Sequence, residues 1–289
     1  MRISLFAFAI ILIITLFFLG RNLTPMPTLD RPIVTVNAHI LDRYVGYIRD
    51  NNLADIENRA REREYSDRMP SYLTAPAAND NPNAPGGIIV NYDHPDCPVT
   101  LPAGRQFMFG QTGGIIDHIG GFFPLEPLSW DDMQAEILRL IAVFDNAGWV
   151  RSRGQHGPDI GIRTEITPEH LAVFPPNTPK WVNIGFWEQC DNSYIKVQVQ
   201  VRHYNSSSPG SFIPPAPLSD PLDPFAEDQF LFLVRFRIDQ YSPVHNELTL
   251  LRNMRRIDVN GDPDEAIPLA TWLDDPDWRP EGWQGIYVP

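Results

Sequence analysis

Cysteine and lysine are scarce in this chain. Cys97 and Cys190 are its two cysteines, and Lys180 and Lys196 its two lysines. Two cysteines exclude a multi-disulfide framework or a zinc ribbon. They leave two readings open, one disulfide in an oxidising compartment or a pair of buried thiols. Charge of either sign is modest at 20% of residues, with 23 basic against 36 acidic side chains and a net charge of −13. A field of that sign repels phosphate backbones and excludes nucleic acid as a partner. It favours a basic protein surface or divalent cations. The chain also has no G-x-S-x-G, no H-E-x-x-H and no G-x-x-x-x-G-K-[ST], so the familiar nucleophile, metalloprotease and phosphate-loop signatures are absent.

What the chain has is hydrophobic residues at 43%, seven tryptophans and 29 prolines. The first two suffice for a real core. The prolines cluster between the periodic segments and predict long, stiffened loops.

Residues 3–19 read ISLFAFAIILIITLFFL, with Ser4 and Thr15 as the polar side chains. At 1.5 Å per residue this run covers roughly 26 Å, enough for a thin hydrocarbon core, and it lacks the polar stripe of a soluble helix. No A-x-A pattern follows, so an uncleaved anchor is expected over a cleaved signal. The expected placement is single-pass in a bacterial inner membrane, with the main domain in the periplasm.

The organisation read from the sequence has three parts: a transmembrane anchor at 1–23, a stalk, membrane-proximal helix and Pro/Asn-rich linker at 24–87, and an α+β globular domain at 88–289. The fold class is α+β, an antiparallel sheet with helices packed on one face and long Pro-rich loops. Pro25, Pro27 and Pro32 give residues 24–35 the look of an extended stalk. Ile40, Leu41, Tyr44, Val45 and Ile48 share one helical face and predict a helix over 39–68. Residues 70–87 have linker composition. The best helix signal follows Ser129, a natural N-cap, with Asp131 and Asp132 in the first turn, Gly148 at the stop, and Met133, Ile137, Leu140, Ile141 and Phe144 on the buried face. Residues 181–189 and 193–204 predict a hairpin about Asp191-Asn192. Residues 230–238 alternate as a strand, and Ser242 caps a short helix over 243–255.

Candidate chemistry is sparse. Asp117 and His118 lie within the glycine-rich GGIIDHIGG, where an acid and an imidazole could serve as a general acid–base pair. The plainer reading is a set of glycines at a tight bend. Asp93, His94, Asp96 and Cys97 are metal-binding types, but no second ligand pair follows at useful spacing. DVNGDPDE, 258–265, resembles the opening of an EF-hand or dockerin-type calcium loop. Asp258, Asn260 and Asp262 fall at positions 1, 3 and 5. It departs from that pattern with Pro263 at position 6 and Leu269 at position 12, and the plainer reading is a turn at Asn260-Gly261 that needs no ion. Trp272, Trp278 and Trp283 are candidates for an aromatic binding surface.

The functional expectation is a membrane-anchored extracytoplasmic protein-binding module without catalysis, an inhibitor or immunity-like protein or an accessory subunit of a membrane complex. It is held by residues 3–19 and binds a protein partner, a basic one by the charge. No cofactor is expected. The alternatives are a periplasmic hydrolase using Asp117 and His118, and a calcium-dependent adhesion or carbohydrate-binding domain.

Overall fold

The computed structural model describes residues 31–62, 71–74, 85–152, 161–167, 170, 181–203, 230–253 and 269–286. The hydrophobic run at 3–19 and the calcium-type loop at 258–265 lie outside the described residues. Among the described residues no helix is long and apolar enough to cross a membrane. The chain divides into Met1–Pro32 and a compact unit, Ile33–Pro289.

The mixed α+β content is as expected. In chain order the strands are β1 (Ile33–Asn37), β2 (Ser71–Thr74), β3 (Gly87–Tyr92), β4 (Val99–Thr100), β5 (Gln106–Thr112), β6 (Ile115–Leu128), β7 (Val150–Ser152), β8 (Trp181–Glu188), β9 (Ile195–His203) and β10 (Phe230–Ile238). The helices are α1 (Tyr44–Asp50), α2 (Ala54–Glu62), α3 (Trp130–Asn146), α4 (Pro243–Asn253) and α5 (Ala270–Asp274). Seven strands form an antiparallel sheet in the order β2-β5-β6-β10-β9-β8-β7. A smaller sheet, β1-β3-β4, departs from the all-antiparallel expectation because β1 and β3 run parallel.

The strongest local signals produce the elements they predict. Ser129 caps α3, its Oγ accepting the Asp132 N–H at 3.2 Å, and Met133, Ile137, Leu140, Ile141 and Phe144 are its buried residues. Gly148 takes φ +85° after the helix, the left-handed conformation that glycine adopts freely. Alternation along β9 and β10 sends Val197, Val199, Val201, Phe232, Val234 and Phe236 into the core that α3 covers. Ser242 caps α4 by accepting the His245 N–H at 3.0 Å.

Three expectations give way to long-range pairing. The last residues of the expected stalk are β1, since the β-branched run Ile33-Val34-Thr35-Val36 pairs with β3 from Ile33↔Gly87 to Asn37↔Asn91. The single helix expected over 39–68 is α1 and α2, separated at Asn51 and Asn52, where Asn52 takes φ +54°. Within the expected linker, Ser71–Thr74 is an edge strand paired with β5. β1 and β2 thus pair with strands that begin at Gly87 and Gln106. The glycine-rich stretch itself is strand β6, whose glycines admit bulky neighbours: a Cβ at Gly121 would lie 2.1 Å from the Phe107 ring.

Candidate functional site

Two groups of polar side chains stand apart from ordinary packing. The first lies on the sheet face opposite the buried Phe232, Val234 and Phe236. Directly opposed residues of an antiparallel pair share a face. Arg237 is opposite His118 on β6 and Lys196 on β9, and Arg235 is opposite Gly120 and Gln198. His118, Arg235, Arg237 and Lys196 therefore lie together on one face, with Arg235 and Arg237 carrying its unoffset positive charge. At the other end of this face Leu231, Leu233 and Gln200 are buried, so its accessible part is the cationic end.

Lys196 is neutralised, its Nζ donating to Glu188 at 2.8 Å with Asp239 at 3.5 Å. Ser193 to Lys196 has the S-x-x-K spacing of some acyl-transfer enzymes, but the Lys196 Nζ is engaged by Glu188 and Asp239. Arg235 and Arg237 are different. Among the described residues no carboxylate pairs with either. Desolvation, followed by the charge of Arg237, lowers the pKa of Arg235.

His118 is mostly buried, and among the described residues its Nε2 has no hydrogen-bond partner. Burial first, then the charges of Arg235 and Arg237, push its pKa down to about 4, so the ring is neutral at pH 7. Asp117 is the extra residue of a β-bulge, because Gly110 pairs with His118 while Gln111 pairs with Ile116. The bulge crowds both side chains over Gly110, where a Cβ would meet Asp117 Oδ1 at 2.9 Å and His118 Cβ at 3.0 Å. They then diverge. Asp117 Oδ2 accepts the Thr112 hydroxyl at 2.7 Å, and His118 Nε2 lies over Gly120. The pair is brought together in space without forming an acid–base couple.

The second group is at the carboxyl end of the small sheet. Parallel pairing ends at Asn37↔Asn91, and two residues further on His39 and Asp93 remain side by side, with Nδ1 3.1 Å from Oδ1. Leu41, at φ +77°, turns the chain so that Asp42 Oδ2 accepts the His39 N–H at 2.8 Å and lies 3.1 Å from His39 Nδ1. This turn is clamped to the β5–β6 hairpin by Leu41 N–H to Ile116 O at 2.9 Å and Ile116 N–H to Asp42 O at 2.8 Å. Burial opposes a charge on His39, but the hydrogen bonds and charges of Asp42 and Asp93 outweigh it and raise its pKa.

His94 is buried beside this cluster, its ring perpendicular to that of His39 at 5.7 Å. Its Nδ1 accepts the Asp96 N–H at 3.3 Å, and its Nε2 is 3.4 Å from Asp191 Oδ2. Asp191 is supplied by the β8–β9 turn, which a Cys97–Cys190 disulfide draws in. With that bond formed neither sulfur is a thiolate ligand. Tyr92 closes the floor, its hydroxyl donating to Gln189 Oε1 and its ring stacked on Phe236 at 4.5 Å.

Trp272 is buried, with Leu251 as its core companion, while Trp278 and Trp283 pack partly buried against that pair. The motif Asp93-His94-Asp96-Cys97 is visible in the sequence, but its partners His39, Asp42 and Asp191 are not, because they lie 51 to 98 residues from Asp93 along the chain. In comparisons with known proteins the chain matches no family model, no curated protein and no solved structure.

Proposed function

We propose that this chain is a membrane-tethered extracytoplasmic binding domain that works without turnover and takes an acidic protein segment against the His118–Arg235–Arg237 end of its large sheet. The tether is the hydrophobic run at 3–19. An oxidising compartment accords with the Cys97–Cys190 disulfide. An inhibitor or an accessory subunit of a membrane complex are the roles such a domain suits.

The carrying observation is the neighbouring pair Arg235 and Arg237, which no carboxylate offsets among the described residues of a chain with 36 acidic side chains. Two like charges on adjacent positions of one face repel, and an incoming anion relieves that repulsion. The whole-chain charge of −13 favours a basic partner. Local charge prevails at a contact, because exposed charges beyond about 10 Å are largely screened at 0.1 M salt. Hydrolysis through Asp117 and His118 gains less support, since a base with a pKa near 4 abstracts protons poorly at neutral pH.

A glutamate-rich peptide titrated into the detergent-solubilised full chain tests this reading. Binding should weaken with salt, and the double variant Arg235→Ala/Arg237→Ala should lower affinity at least about tenfold, the size expected when charge-assisted contacts are lost. Equal binding by the double variant would remove this face from consideration. An N-terminally tagged full-length chain found in the carbonate-soluble fraction would remove the tether.

A further inference from the structure

We propose that His39, Asp42 and Asp93 form a binding site for a divalent first-row transition metal such as zinc. Its ligands would be His39 Nδ1, Asp42 Oδ2 and Asp93 Oδ1. These three atoms lie within 4.8 Å of one another, and the imidazole nitrogen is 3.1 Å from each carboxylate oxygen. An ion bound at about 2.1 Å separates adjacent ligand atoms by about 3.4 Å in a tetrahedron and about 3.0 Å in an octahedron. The two imidazole–carboxylate spacings fall between these, and the two carboxylate oxygens lie within 4.8 Å of each other, so an ion would chiefly draw the carboxylates together.

The backbone prepares the site without the ion. Parallel pairing of β1 with β3 places His39 beside Asp93. Leu41 holds a left-handed conformation rare for a branched side chain, and that turn delivers Asp42 to the same point. A hydrogen-bonded clamp to Ile116 holds the turn in place. One imidazole and two carboxylates are a borderline donor set, suited to zinc, manganese or ferrous iron more than to calcium. Three protein ligands leave at least one position for water or a partner's side chain. Asp93 at 42% exposure opens the site to solution, while His39 and Asp42 are under 30% exposed.

The remaining ionisable groups nearby form a second layer. His94 packs edge-on against the His39 ring and turns its own nitrogens to the Asp96 N–H and to Asp191, and Tyr92 supports the floor. An ion and a proton compete for His39 Nδ1, so binding releases a proton and weakens on acidification.

Zinc titrated calorimetrically into the full-length protein in detergent, with the disulfide intact, decides the matter. One ion per chain is expected, with affinity falling about tenfold per pH unit once His39 is protonated. Asp93→Asn, at the most exposed ligand, should lower affinity at least about tenfold while leaving the far-UV spectrum unchanged, and His39→Gln should do the same. His94→Gln should stay within twofold of the parent, and Arg235→Ala/Arg237→Ala should bind zinc normally. The proposal is overturned if the parent binds no zinc at millimolar concentration, or if Asp93→Asn binds as the parent does. Loss of zinc in His94→Gln with retention in Asp93→Asn would overturn it too, moving the ion to the His94–Asp191 pair.

Discussion

A neutral imidazole beside two arginines carries a pH signature of its own. His118 reaches that state because burial and the charges of Arg235 and Arg237 all disfavour a second proton, which places its pKa near 4 against 6.5 in an unfolded chain. Above pH 6.5 the ring is neutral in both states and contributes nothing to the pH dependence. Between pH 6.5 and 4 the unfolded chain takes up a proton that the native state refuses, so stability falls as pH falls. His118→Gln should therefore lose less stability than the parent on going from pH 7.5 to 5, by about 2 kcal/mol on the linkage relation. Urea unfolding midpoints at the two pH values check this, and parallel shifts in parent and variant would show that His118 titrates normally. His39 acts in the opposite sense. Its raised pKa stabilises the native state below the unfolded value, and that contribution is lost as pH rises through the native one.

Among the elements, α3 shows what local chemistry alone can specify. Its N-cap, its acidic first turn and its five buried positions all follow from spacing within 20 residues. Ser129→Ala removes the acceptor for the Asp132 N–H and should cost about 1 kcal/mol, read as a lower urea midpoint with an unchanged m-value. No measurable change would mean that water satisfies that N–H equally well. Strand β6 is the opposite case. Its glycines and prolines read locally as a loop, yet it lies between β5 and β10. Gly113 and Gly114, at φ +56° and +76°, form the turn that starts it, and side chains there would strike Leu251 and Trp272. Its pairing partners supply what its own propensity lacks.

For the whole molecule, the Cys97–Cys190 bond closes a loop of 93 residues between the β3–β4 connection and the β8–β9 turn. Cross-links over such separations typically add about 2–4 kcal/mol by restricting the unfolded chain. Reduction should lower the urea midpoint correspondingly while leaving the native far-UV spectrum intact; an unchanged midpoint would show that packing around Trp149 and Tyr92 suffices. The sequence by itself determined the parts whose signal is local and periodic: α3, the β8–β9 hairpin, β10, the cap of α4 and the α+β class. It also identified Asp93, His94 and Cys97 as chemically able residues. Tertiary structure alone decided that β1 and β2 are strands, that His39 meets Asp93 across 54 residues, and that His118 faces two arginines instead of Asp117. The physical reason is range. A helix face or a strand's alternation repeats within a few residues, whereas the register of a parallel pair or the partner of a half-buried charge depends on chain segments far apart, and short-range spacing carries no record of them.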